Sequence, residues 1–441
     1  MRSILAASTS AFSGSQSDSG RVVALRRGAR LSVTLLGLLL IGWGLWTCGR
    51  AGLAQLLASY AVATRQLDIA DKATRVGPTV PETHYVRAAL LADAGEWAEA
   101  AKEYERAVAL RPRDYSLWLE LGRARDQADD TTGAVAAFAE SVRLAPFYAQ
   151  PRWQLGNTLY RLGRRDEAFA QLQRATVSDP KLLPQALALA WAAYGGDAQA
   201  VVQSLEPQTD AMRLALARFL AAHGKAQEAV AQFRAARNVS ADERRALLTD
   251  LLTTRRFAEA YAVWSSGHGA GREASAHNDA AIINGGFESP VSLNDPGFDW
   301  QLAQNLSAVE AAQDRAEPHG GAQSLRLAWS GNANTSAPVI SQLVLVEPNA
   351  RYQLRLTART QELITAGLPQ IVVSDAGDER TLGAALTLPQ GTSDWRDYTI
   401  EFATGATTSA VRISLRRQDC NTAPCPIFGR VWLDDVSVRK M

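Results

Sequence analysis

The sequence predicts a multidomain chain with three kinds of structure in series: a single N-terminal transmembrane helix, an all-α solenoid and an all-β sandwich. Three observations predict this. Leu31 to Cys48 reads LSVTLLGLLLIGWGLWTC, a run without a charge. Pro78, Pro112, Pro146 and Pro180 each stand 34 residues after the last. In the C-terminal third, apolar and polar residues alternate at period two between clusters of Gly, Asn, Ser and Thr, which is the period of a half-buried strand.

Size and composition agree with several domains. The chain has 441 residues, 47% of them hydrophobic, too long for one ordinary domain and rich enough to bury more than one core. The net charge is +1, so nothing global favours nucleic acid as a partner. Lysine occurs only at Lys72, Lys102, Lys181, Lys225 and Lys440, and the Arg- and Ala-rich remainder suggests a GC-rich bacterial genome.

Residues 1–30 are expected to form a disordered, cytoplasmic N-terminus, rich in Ser, Ala and Gly at its start. The transmembrane helix is expected over 31–48. Eighteen helical residues span about 27 Å, close to a hydrocarbon core of about 30 Å. Trp43 and Trp46 suit an interface, and Arg21, Arg26, Arg27 and Arg30 outweigh Arg50 and Arg65, which keeps the N-terminus cytoplasmic. The expected location is therefore the inner (cytoplasmic) membrane, single-pass, with the bulk of the chain periplasmic or extracellular. A cleaved signal peptide and a lipoprotein built on Cys48 are the alternatives.

Residues 49–265 are expected to be the helical solenoid, clearest over 81–180. Small residues keep the period of the prolines: Ala73, Ala107, Ser141 and Ala175 before each proline, then Ala100, Ala134 and Ala168, then Ala88, Gly122 and Gly156. Small residues let helix axes approach, and proline ends a helix because it has no N–H and restricts the residue before it. Gly95, Asp129 and Gly163, again 34 apart, fall where the turn within a repeat needs a left-handed residue. Residues 51–78 read as a degenerate first repeat that begins almost where the membrane segment stops. Residues 184–265 lose the period, but Asp210–Ala236 and Ala241–Trp264 keep the internal offsets, as divergent or capping repeats do.

A linker is expected over 266–281, within the Gly- and Ser-rich stretch that starts at Ser265. The sandwich is expected over 282–441, with strands at Ser324–Trp329, Tyr352–Ala358, Gln370–Ser374, Tyr398–Phe402, Val411–Leu415 and Val431–Val438. Trp329 and Tyr398 share parity with apolar neighbours and read as core. Cys420 and Cys425 flank a Pro-containing loop, and outside the cytoplasm a disulfide is the natural reading.

The sequence carries no H-E-x-x-H, no phosphate-binding loop and no G-x-S-x-G elbow, so no catalytic residue is assigned and the chain is expected not to be an enzyme. Carboxylates that only the fold would bring together stay open.

The 34-residue period resembles that of tetratricopeptide (TPR) repeats. Trp118-x-x-Leu121-Gly122 and Trp153-x-Leu155-Gly156 resemble the first-helix motif, although Trp153 sits one position late, and Ala100/Tyr104, Ala134/Phe138 and Ala168/Leu172 resemble the second. The resemblance implies a concave face that holds a protein partner. Its lining would be Tyr85, Leu119 and Trp153, with Arg123, Asp126, Asn157, Tyr160 and Arg161 as polar neighbours; packing between repeats is the alternative for the three large residues.

Residues 282–441 resemble a carbohydrate-binding-module jelly roll of the galactose-binding-like type. The matching pieces are Asn284-Gly-Gly-Phe-Glu288, His319-Gly-Gly-Ala-Gln-Ser-Leu325, Gln342, Pro348-x-x-x-Tyr352 and Gly429-Arg-Val-Trp-Leu-Asp434-Asp435-Val436. That resemblance implies a structural calcium with Glu288 and Asp434 as side-chain ligands, Asp435 being the fallback. It also implies a glycan platform, for which Trp300 and Trp395 are the candidates. The functional expectation is a membrane-anchored extracytoplasmic TPR scaffold with a glycan-binding jelly roll, supporting cell-envelope or exopolysaccharide assembly. A pure protein-interaction adaptor whose jelly roll binds no sugar, and an accessory subunit of a glycan-processing enzyme, are the alternatives.

Overall fold

The computed structural model describes residues 27–267, 279–280, 282–291, 296–303, 308–332, 338–420 and 424–441. The expected tail up to residue 26 and most of the expected linker lie outside them. The chain falls into two compact units, Met1–Thr158 and Leu159–Met441.

The first unit contains α1 (Arg27–Thr64), α2 (Leu67–Val76), α3 (Pro81–Asp93), α4 (Trp97–Leu110), α5 (Tyr115–Gln127), α6 (Thr131–Leu144) and most of α7 (Ala149–Arg161). The apolar segment and the first helix of the degenerate repeat are one unbroken helix, α1. Its upstream half exposes Leu35, Leu36, Leu38 to Ile41 and Trp43. Its downstream half buries Ala54, Ala58 and Ala61 on one face, packed with Ala70 and Ala73 of α2 and Val86 of α3. That i, i+4, i+7 spacing is one helical stripe.

The repeat has a local cause. Helices α2, α4 and α6, and α8 (Arg165–Ser178) of the second unit, all end two residues before a repeat proline. The intervening residues, Gly77, Arg111, Ala145 and Asp179, have φ between −136° and −128°, the extended backbone that a following proline imposes. Their N–H groups donate back to the carbonyls of Ala73, Ala107, Ser141 and Ala175, the in-phase small residues. The turns inside the repeats hold Gly95 at φ 82°, Asp129 at 62° and Gly163 at 76°. Where α5 crosses α6, a Cβ on Gly122 would lie 2.5 Å from ring atoms of Phe138, so only glycine fits.

One position has the same job in three chemistries. His84 Nε2 lies 3.0 Å from Pro78 O, Trp118 Nε1 donates to Pro112 O at 2.9 Å and Arg152 Nε donates to Pro146 O at 2.9 Å. The equivalent of Trp118 in the next repeat is therefore Arg152, and Trp153 belongs to the following position of the motif. Between α3 and α4 the buried Glu103 carboxylate accepts from His84 Nδ1 at 2.6 Å, Arg106 Nη1 at 2.5 Å and Arg87 Nη1, while Arg87 Nε also reaches Asp71. This pins α3, α4 and the middle of α2 together.

The second unit continues with α9 (Leu183–Ala193), α10 (Ala198–Leu205), α11 (Asp210–Ala222), α12 (Ala226–Ala235), α13 (Ala241–Thr253) and α14 (Phe257–Ser265). A capping box opens α13: Ser240 Oγ accepts from Glu243 N, and Glu243 reaches back to Ser240 N.

Two antiparallel sheets follow. One has the order β3 (Val309–Asp314), β4 (Ser324–Asn332), β11 (Pro426–Lys440), β6 (Arg351–Thr365), β9 (Gly391–Ala403), with β1 (Asp279–Ala280) also on β11. The other runs β2 (Gln301–Leu302), β5 (Ile340–Leu345), β10 (Ala410–Arg417), β7 (Pro369–Asp375), β8 (Leu386–Thr387). Leu325, Leu327 and Trp329 of β4, Val431 and Leu433 of β11 and Val411, Ile413 and Leu415 of β10 meet in one core, with Tyr398 packed against it. Alternation puts each set on the inner face. The opening segment is fixed by Gln342, whose buried amide donates to Ile283 O at 2.7 Å and accepts from Ile283 N at 3.3 Å. The sandwich also packs on the last helix: Tyr261 and Trp264 of α14 lie 5.1 and 5.9 Å, ring to ring, from buried Phe298.

Candidate functional site

The first unit contains a groove of about 540 Å³ formed by α3, α4, α5 and the start of α7. Tyr85, Ala89, Ala92 and Asp93 come from α3, Trp97 and Tyr104 from α4, Glu120, Arg123, Asp126 and Gln127 from α5, and Gln154 from α7. The lining repeats at 34 residues, as Ala89 with Arg123, Ala92 with Asp126, Asp93 with Gln127 and Glu120 with Gln154. The stacking that builds the solenoid thus brings one helix face of successive repeats to one concavity.

Its chemistry is aromatic and acidic. Tyr85 packs edge-on against Tyr104 with ring centroids 5.9 Å apart. Burial pushes both phenols above their ordinary range, with Glu120 adding to the effect. Burial also raises the Glu120 carboxyl, against the pull of Arg123, whose Nη1 donates to Glu120 Oε1 at 2.7 Å. Asp93, Glu120 and Asp126 are set against the single cation Arg123.

Of the residues expected on this face, Tyr85 (39% exposed), Arg123 and Asp126 line the groove. Leu119 does not: it is buried, 7% exposed, because an apolar side chain at that phase turns into the helix packing while Glu120 faces the opening. Trp153 is half-buried, and Asn157 Nδ2 donates to Trp153 O at 2.8 Å, within its own helix. Tyr160 and Arg161 fall in the second unit, where Tyr160 packs on Phe169 at 6.1 Å and Arg161 is exposed. Glu120, Gln154, Asp93, Trp97 and Tyr104 were missed from sequence. The signal was the 34-residue pairing of Glu120 with Gln154, one step from the phase of Leu119 and Trp153.

In the sandwich, Trp300 is a core residue, 2% exposed. Its indole N–H donates to Asn284 O at 3.1 Å and its ring lies 5.2 Å from Phe287, so it presents no face to a ligand. Trp395 is half-buried and its ring lies 5.4 Å from that of His319. His319 Nδ1 in turn meets Asp435 Oδ2 at 2.6 Å.

Glu288 and Asp434 converge on one loop. Asp434 Oδ2 accepts from His319 N at 3.0 Å and Gly320 N at 3.1 Å, and Glu288 Oε1 accepts from Ala322 N at 2.7 Å. A Cβ at Gly286 would lie 3.8 Å from Glu288 Cγ and 3.9 Å from Asp434 Oδ1. Asp434 has no exposed surface, and burial raises its carboxyl despite its backbone hydrogen bonds. Both carboxylates are thus tied to the 319–323 segment through its backbone N–H groups. Asp435 turns instead to His319. Among the described residues no group of three or more His, Cys, Asp and Glu side chains could hold a metal by itself. Cys420 and Cys425 are bonded, with Cα atoms 6.0 Å apart, and buried Arg417 donates to Cys425 O at 3.0 Å and to Thr365 Oγ1 at 2.9 Å.

Residues 85–149 match the tetratricopeptide-repeat family. With the helices that continue the array on either side, the helical region is a TPR solenoid, and the chain carries a TPR protein-interaction scaffold. A search of curated proteins finds no match. Among solved structures, MamA 41-end from Desulfovibrio magneticus RS-1 is 18% identical, covering 36% of this chain and 95% of its own, with a TM-score of 0.32. YrrB, described as a TPR protein with an unusual peptide-binding site, is 20% identical over 36% of this chain and 86% of its own, with a TM-score of 0.30. A structure titled "CBM4 structure and function" is 15% identical over 36% of this chain and 99% of its own, with a TM-score of 0.28.

Proposed function

We propose that this chain is a membrane-anchored, extracytoplasmic TPR scaffold whose groove holds a positively charged segment of a partner protein. The groove carries the reading: its Tyr85–Tyr104 edge and its acids fit a Lys or Arg side chain lying over an aromatic ring with a carboxylate beyond it. The test is fluorescence anisotropy of labelled peptides with the full chain in detergent. Basic peptides should bind more tightly than acidic ones of equal length. Glu120→Gln should weaken binding at least about tenfold, the lower end of the range for one charge-assisted hydrogen bond. Equal binding of acidic and basic peptides would remove the proposal.

For the sandwich, the sequence resemblance supports a glycan-binding jelly roll serving cell-envelope or exopolysaccharide assembly. Trp395 with His319 is the remaining platform. The burial of Trp300 favours the second reading, an adaptor whose sandwich binds no sugar. Calcium at Glu288 and Asp434 would fasten the opening and closing segments of the sandwich to the 319–323 loop. Removing calcium with a chelator should lower the sandwich melting temperature by several degrees, since a ligand bound only by the folded state stabilises it. Asp434→Asn should abolish that response. A chelator-independent melt in the unsubstituted chain would dismiss the site.

A further inference from the structure

Helix α1 has 38 residues and is about 57 Å long, nearly twice the hydrocarbon thickness of about 30 Å. On the proposed anchoring, with residues 31–48 in the hydrocarbon, the next turn of α1 lies at headgroup level. There the first unit has a recess of about 490 Å³ between α1 and the end of α2. Its walls are Leu45, Trp46 and Leu53, all exposed, and its polar groups are Arg50 and Arg75.

The two guanidinium groups are held in place from behind. Arg50 Nε donates to Val76 O at 2.5 Å and Nη2 to Arg75 O at 3.5 Å, so Arg50 caps the last carbonyls of α2. Arg75 Nε donates to Asp71 O at 3.2 Å. No hydrogen bond within the described residues engages Arg50 Nη1 or the two Nη groups of Arg75. The nearby acids are occupied elsewhere, Asp71 by Arg87 and Asp68 by Lys72. Two fixed, partly unused guanidinium forks facing one recess match a phosphate.

The walls choose the source of that phosphate. A free anion gains nothing from Leu45, Trp46 and Leu53, whereas an acyl chain would continue along the apolar face of α1 above them. Trp46 sits where an indole prefers the interface. We propose that this recess binds one anionic phospholipid, its headgroup phosphate between Arg50 and Arg75 and its acyl chain along Leu45 and Trp46. The lipid would fix the rotation and depth of α1, and so the height at which the repeats stand above the membrane. The inference rests on the membrane reading of α1.

The test is native mass spectrometry of the full chain in detergent, titrated with phosphatidylglycerol, phosphatidylcholine or inorganic phosphate. One phosphatidylglycerol should be retained in preference to phosphatidylcholine, and millimolar phosphate should not displace it. Arg75→Gln should weaken retention about fivefold, as expected for one surface arginine. Because Arg50 also caps α2, Arg50→Gln is read only beside its melting temperature, and Arg75→Gln carries the decision. Equal retention of the two lipids, unchanged retention in Arg75→Gln, or displacement by phosphate would each overturn the proposal. Carbonate extraction of membranes separates the two readings. A chain washed off by carbonate overturns anchoring and lipid site together, whereas a chain that resists it but shows no lipid preference overturns only the lipid site.

Discussion

Glu120 stands in the groove at a cost to the fold. Its carboxyl is raised above the ordinary value of 4.5 by burial, with Arg123 only partly offsetting this. The folded state therefore holds the Glu120 proton more tightly than the unfolded chain does. By linkage, the contribution of this group is most favourable at low pH and declines as pH rises from about 4.5 through its raised folded value. Glu120→Gln has no such ionisation. Its stability relative to the unsubstituted chain should grow as pH rises from 4.5 to 7, measured by urea unfolding at each pH. Peptide binding should move oppositely, since a cationic segment needs the ionised carboxylate, and should weaken as pH falls through the same window. A stability difference between the two proteins that is flat with pH would refute this account of Glu120. An acid kept against its folding cost is what a binding residue looks like, and nothing in the immediate neighbours of Glu120 announces it.

At the level of the helix pair, the repeat rests on a few steric points, and Gly122 is the sharpest. A Cβ there would fall 2.5 Å from the Phe138 ring, and Phe138 is itself buried, so it has little room to yield. Gly122→Ala should destabilise the first unit by about 1–3 kcal/mol, the usual range for overpacking, although alanine is the better helix former. Ala88→Gly, at the same phase one repeat earlier, should cost about 1–2 kcal/mol, through helix propensity and the loss of a buried methyl. Circular-dichroism melts of the two variants check the ordering, and a Gly122→Ala chain as stable as the parent would show that the crossing can relax. These steric points are also why the helices were legible in sequence. Proline, the residue before it and the left-handed turn residue each act within a few bonds, so Pro112, Arg111 and Asp129 declare themselves without knowledge of the fold. The role of Arg152 was hidden because a guanidinium there replaces an indole of unlike appearance. Strand β5 was missed because Ile340 to Val344 is buried throughout and shows no alternation, and β3 because VEAAQD is short and mixed. Trp300 was misjudged because it precedes a two-residue strand, where parity offers nothing to read.

The second unit joins the last repeats to the sandwich through side chains far apart in sequence. Trp264 on α14 is 3% exposed, and Phe298, which it meets together with Tyr261, is 1% exposed. Gly297 lies at φ +152°, and a Cβ on it would run into the Trp264 indole. A tryptophan so covered belongs to a core shared by helices and sheet, which a freely swinging tether would not create. Trp264→Ala should cost about 3–5 kcal/mol, and the loss should register on both sides of the contact. Hydrogen exchange read by mass spectrometry should quicken in peptides from α13 and α14 and also in those from β2, which continues from the Phe298 segment, and from β5, which pairs with β2. Phe298→Ala should reproduce the pattern from the other side, while Trp43→Ala, on the exposed face of α1, should leave those peptides unchanged. Faster exchange confined to the helices in Trp264→Ala would mean that the sandwich folds independently of the array and that the aromatic contact is incidental. Exchange that quickens on both sides would make the solenoid a mount that sets the direction of the sandwich, so that the Trp395–His319 ring contact is presented at a fixed angle to the last repeats.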